Sequence, residues 1–86
     1  MDTGRVRRRT VILPPGDGLE YVAADWADTL VVVERGQLEL ECQSGCRAQF
    51  AAGAVLTMVG LPVRRLHNAG SQPLVLSAIT RRSADR

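Results

Sequence analysis

The chain has 86 residues, 45% of them hydrophobic and 23% charged, with a formal net charge of +2. A chain of this length holds one core, and this composition is that of a globular protein, so a two-domain organisation and wholesale disorder are excluded. The longest apolar run, Leu30 to Val33, falls far short of the roughly 20 residues of a membrane helix. The polar, arginine-rich start is no secretory leader, so the expected location is the cytoplasm.

Taken in order, the segments read as strands. Val6 to Leu13 is extended and β-branched, and Pro14-Pro15-Gly16-Asp17-Gly18 stops it with consecutive turn-formers. Leu19 to Ala23 reads as a short strand, and Ala23 to Asp28 as a helical turn too short to stand alone. Thr29 to Glu34 is apolar on both faces, and Arg35-Gly36 predicts a tight reversal. Gln37 to Cys42 alternates, with Leu38, Leu40 and Cys42 on one face and Glu39 and Glu41 on the other. Gln43-Ser44-Gly45 predicts a hairpin loop, after which Cys46, Ala48 and Phe50 return along the buried side. Ala51-Ala52-Gly53 turns the chain into a strand over Ala54 to Val59, and Gly60-Leu61-Pro62 breaks it. Val63 to His67 and Pro73 to Arg82 complete the set, separated by the turn Asn68-Ala69-Gly70-Ser71. Short strands with a turn every six to ten residues or so describe a small β-barrel or sandwich.

Charge is segregated along the chain. Arg5, Arg7, Arg8 and Arg9 oppose only Asp2 at the start, seven acids oppose Arg35 over residues 11–46, and six arginines oppose Asp85 thereafter. No lysine is present, which removes Schiff-base chemistry. None of the three aromatics, Tyr21, Trp26 and Phe50, sits among the arginines to stack a base, which argues against nucleic-acid binding. Cys42 and Cys46 flank a three-residue loop within reach of a disulfide, but without a secretory leader they are expected to be reduced and buried. No nucleophile lies in a Gly-x-Ser-x-Gly context and no glycine-rich loop cradles a phosphate, so no catalytic residue is assigned.

Three stretches together resemble the cupin family of small β-barrels: Val-Val-Val-Glu-Arg-Gly-Gln-Leu-Glu-Leu (31–40), Phe-Ala-Ala-Gly-Ala-Val-Leu (50–56) and Leu-Pro-Val-Arg-Arg-Leu-His-Asn-Ala-Gly-Ser-Gln-Pro-Leu (61–74). Gly36 stands where cupins place the glycine of the first hairpin, Gly53 before the next strand, and Asn68 at the end of the second motif. Gly60-Leu61-Pro62 supplies the family's remaining glycine and proline out of order. The resemblance implies an all-β fold, a single small cupin-like barrel (double-stranded β-helix or jelly roll) over residues 1–86, with residues 1–4 and 83–86 as frayed ends.

Metal-binding cupins carry a His-x-His pair and a glutamate before the first hairpin, and a histidine in the second motif. Counting from Gly36, the glutamate position is Thr29 and the histidine pair falls within Val22, Ala23, Ala24 and Asp25. Counting from Asn68, the second histidine is replaced by Arg64. His67, the only histidine, has the wrong strand parity to join a site if Arg64 points inward. The resemblance therefore implies a metal-free member with no cofactor.

Arg64 either offers its guanidinium fork to a small anion inside the barrel or pairs with an acid such as Asp25 or Asp28. Trp26 either plugs the barrel end or stacks on a ligand. Arg64, Thr29, Asp25 and Trp26 are the candidate ligand-binding residues, in a small-molecule-binding module for a polar or anionic metabolite. The alternatives are a cupin isomerase, cyclase or oxygenase with an atypical site, and a regulatory or interaction module using the arginine-rich termini. Leu30 and Val32 need cover if Val31 and Val33 face inward, which predicts either the N-terminal strand or a second subunit there. A homodimer is the expected assembly, with no membrane partner.

Overall fold

The computed structural model describes residues 6–81; the ends expected to fray, residues 1–4 and 83–86, lie outside the described residues. Eight strands and one helical turn follow in order: β1 (Val6–Leu13), β2 (Gly18–Glu20), α1 (Ala23–Trp26), β3 (Thr29–Arg35), β4 (Gln37–Cys42), β5 (Arg47–Ala51), β6 (Val55–Leu56), β7 (Val63–His67) and β8 (Leu74–Arg81). They form two four-stranded sheets, ordered β1-β8-β3-β6 and β2-β7-β4-β5, with every pairing antiparallel.

Alternation decides which face of each sheet turns inward. In the first sheet Val31 and Val33 of β3 lie against the interior with Leu74, Leu76 and Ala78 of β8, all at 0% exposure. In the second, Leu38 and Leu40 of β4 and Leu66 of β7 do the same, at 2% or less. These side chains belong to one buried cluster between the sheets. The four-residue α1 has no side-chain cap. It is held by burying Trp26 to 3% and by Arg9, whose guanidinium lies 4.8 Å from the indole centroid and donates to the Asp25 carbonyl at 3.1 Å.

Several expectations meet a different geometry. Arg35-Gly36 is not a hairpin, because β3 pairs with β8 and β6 while β4 pairs with β7 and β5. Gly36 instead turns the chain from one sheet to the other at φ 78°, where an added Cβ would stand 2.6 Å from the Pro73 carbonyl oxygen. The strand expected over residues 54–59 shortens to Val55–Leu56, and Met58 drops into the core at 1% exposure. The hairpin at Gly45 does form, closed by the Cys42 amide on the Cys46 carbonyl at 2.8 Å. Both cysteines are free, but Cys42 is half-buried and Cys46 exposed, not sealed inside.

The outer faces of the two sheets differ. On the second sheet, register aligns Glu20, Arg65, Glu41 and Arg47 in one cross-strand row of alternating charge, and His67, Glu39 and Gln49 in the next. On the first sheet, Val6, Ile12, Leu30 and Val55 remain 46–61% exposed. The N-terminal strand lies beside β8 as an edge and does not cover Leu30.

Candidate functional site

The most chemically distinctive point of the barrel is a bulge in β7. Glu41 pairs with Arg65 and Cys42 with Val63, leaving Arg64 as the extra residue. Val63 and Leu66 therefore both face the core, at 2% and 0% exposure, although they are three positions apart. The bulge expels Arg64 from the interior, where the spacing from Asn68 had placed it, and leaves it exposed at the rim. Its carbonyl accepts the Tyr21 amide at 2.9 Å, which seats Tyr21 beside it.

Arg64 and Tyr21 share an open cleft of about 550 Å³, whose other walls include Glu20, Gln43, Leu61 and Val63. A second cleft of about 230 Å³ is lined by Trp26, Asp28 and Val59 and shares Tyr21, Ala23 and Gly60 with the first. Together they form a mouth at one end of the barrel, with a guanidinium on one side and the single tryptophan on the other. Among the described residues no ion pair or side-chain hydrogen bond engages the Arg64 guanidinium. Neither Asp25 nor Asp28 serves as its counter-ion.

Of the four candidate residues, Arg64 and Trp26 line this mouth. Asp25 is exposed on α1, outside the walls of either cleft, and only its backbone is engaged: its carbonyl by Arg9 and its amide by the Val22 carbonyl. Thr29 is buried at 3%, its hydroxyl bonded to the Ala27 carbonyl and the Thr80 hydroxyl, each at 2.9 Å. It faces inward and is outside the walls of either cleft. Sequence reasoning missed Tyr21, which joins the two clefts; its closeness to Trp26 was the available signal.

The metal of the fold family does not fit these residues. The position of its glutamate holds a satisfied threonine and that of its second-motif histidine an outward arginine. Among the described residues no three His, Cys, Asp or Glu side chains converge. His67 points to the outer face, as strand parity predicts, where its Nδ1 lies 3.2 Å from Glu39 Oε1. This hydrogen bond holds the Glu39 carboxyl below its ordinary value of 4.5, assisted by Gln49 and the charge of Arg47 and opposed by desolvation.

No helix among the described residues is long and apolar enough to cross a membrane. No protein-family model and no curated protein matches the chain. Solved structures do. The Cupin 2 domain of an XRE family transcriptional regulator from Enterobacter cloacae is 21% identical with a TM-score of 0.70, the match covering 87% of this chain and 79% of that one. A cupin domain from Bordetella pertussis is 23% identical with a TM-score of 0.65, over 95% of this chain and 86% of that one. A Cupin 2 conserved barrel domain protein from Salinispora arenicola is 19% identical with a TM-score of 0.66, over 87% of this chain and 61% of that one. With its two antiparallel four-stranded sheets around one core, this chain has the cupin fold, a double-stranded β-helix.

Proposed function

We propose that the chain is a metal-free ligand-binding module that takes a small organic anion at the barrel mouth. One observation carries this reading: the β7 bulge presents an arginine with no described counter-ion at the rim of a cleft whose walls include Leu61 and Val63. A guanidinium fork pairs with a carboxylate or phosphate, and the apolar walls take the remainder of the molecule. Trp26 supplies a built-in reporter. Titration with phenyl phosphate and with benzoate is expected to change its fluorescence saturably, and uncharged benzyl alcohol to leave it unchanged. Arg64→Ala removes a charge-assisted hydrogen bond, so affinity should fall about 10- to 100-fold. No saturable change with either anion, or equal binding by the variant, overturns the reading.

A second reading, a regulatory or interaction module, draws on one structural neighbour being part of a transcriptional regulator and on the run Arg7-Arg8-Arg9 along the edge strand β1. Salt-sensitive retention on nonspecific DNA would favour it, and no retention at low salt would count against it.

A further inference from the structure

We infer that Cys42 and Cys46 are a reversible dithiol–disulfide pair, closed and reopened by exchange with small disulfides and thiols of the glutathione type. Closing the pair stiffens a loop that walls one side of the barrel mouth. Strand register brings the two residues together. Leu40 stands opposite Ala48 and Glu41 opposite Arg47, so the next rung sets Cys42 opposite Cys46. The Cys42 amide donates to the Cys46 carbonyl at 2.8 Å, and the Gly45 amide to the Cys42 carbonyl at 2.9 Å. These two bonds close the loop between the cysteines, with Gly45 at φ 94°. Directly opposed residues project to the same face, with Cα atoms about 4.5–5.5 Å apart. A disulfide spans Cα separations of about 4.4–6.8 Å, so the strands need neither part nor slide to form one. The chain has no third cysteine to compete for either sulfur.

The two thiols are unequal, and that gives the exchange an order. Cys46 is exposed, whereas Cys42 is half-buried on β4, where it also pairs with Val63 of β7. The Cys46 thiolate, its proton given to water, attacks one sulfur of a small disulfide. The S–S bond of that disulfide breaks, and one small thiolate leaves and takes up a proton. Cys42, deprotonated in turn, attacks the Cys46 sulfur of the mixed disulfide and expels the second small thiolate, which is also protonated. The protein dithiol is thereby oxidised to a disulfide, and the small disulfide is reduced to two thiols. Exposure at Cys46 leaves the bridge open to the reverse attack, a property of labile rather than structural disulfides. The hairpin also touches the mouth. The Gln43 amide donates to the Pro62 carbonyl at 2.8 Å, and Gln43 shares the cleft wall with Leu61, Val63 and Arg64. A closed bridge therefore restrains a loop tied to the mouth, whether or not the mouth takes an anion.

Treatment with oxidised glutathione, followed by thiol alkylation and mass spectrometry, tests this. The wild type should become two hydrogens lighter, lose both alkylation sites, and regain both in excess reduced glutathione. Cys42→Ser should stop at a single glutathione adduct on Cys46. Cys46→Ser should react about tenfold or more slowly than the wild type, because its remaining thiol is half-buried. Hydrogen exchange at the Gln43 and Gly45 amides should slow several-fold once the bridge is closed. Separate glutathione adducts on both cysteines, bridges between chains, or a bridge that reduced glutathione does not reopen would each overturn the inference. Cys46→Ser reacting as fast as the wild type overturns the order of attack, and unchanged amide exchange overturns the stiffening of the mouth.

Discussion

Asn68 shows how far a single residue can be read from sequence. Its place before Ala-Gly-Ser marks a turn, and the structure adds why the residue is asparagine. Buried at 0%, it donates through Nδ2 to the Leu13 carbonyl at 2.9 Å and the Gln72 carbonyl at 2.8 Å, and accepts the Gly70 amide at 2.9 Å. Three backbone groups, one at the end of β1 and two in the β7–β8 connection, are thereby satisfied by one side chain. The turn was legible; the partner 55 positions away was not, because nothing local encodes it. Glu39 makes the same point. Alternation places it on the outer face, but only the β4–β7 register brings it to His67. Because its folded carboxyl titrates below the ordinary 4.5, its contribution is fully present above that value. The contribution is lost as pH falls through the lower folded value. Glu39→Gln should therefore be less stable than the wild type at neutral pH, and the difference should shrink below pH 4.5. Urea midpoints measured down the acid range check this; curves that stay parallel for the two proteins would contradict it.

The strands were largely legible, and their pairing was not. β1 and β7 coincide with the segments expected between their flanking turns, and β8 runs Leu74–Arg81 within the expected 73–82. An Arg-Gly step between two strands looks the same whether the chain folds back as a hairpin or crosses to another sheet. The choice is made by which apolar faces meet, and here β3 and β4 belong to different sheets. The β7 bulge is equally silent in sequence, since one extra residue leaves no mark beyond Arg64-Arg65, yet it reverses the direction of the side chain that mattered most. The corner at Gly36 carries a sharp expectation. Its φ of 78° disfavours any side chain, and a Cβ would meet the Pro73 oxygen at 2.6 Å and the Leu74 Cα at 3.0 Å, both backbone atoms. Gly36→Ala should cost about 2–4 kcal/mol, more than conformation alone, because the β7–β8 connection must also shift. Gly53→Ala, at φ 97° but with nothing within 4 Å, is the comparison: it bears the conformational strain alone and should cost less. Equal losses in chemical denaturation would show that the close approach contributes nothing.

For the whole molecule, the spacing of turns and the inward apolar positions made the small barrel readable, while the location of the site depended on how completely that barrel fills. Leucines and valines from both sheets, with Met58, occupy the interior. The clefts lined by Tyr21, Trp26 and Arg64 lie at the mouth, which is where the proposed ligand is expected. Core and mouth can therefore be separated by substitution. Leu66→Ala, at a fully buried position, opens a cavity and should cost about 2–5 kcal/mol. It should leave the affinity for phenyl phosphate essentially unchanged while the variant remains folded. Arg64→Ala, at an exposed position, should do the reverse, weakening binding about 10- to 100-fold with little loss of stability because no described contact depends on the guanidinium. Paired denaturation and Trp26 fluorescence titrations on the two variants measure both quantities. A folded Leu66→Ala protein that no longer binds, beside an Arg64→Ala protein that does, would move the site from the mouth into the barrel.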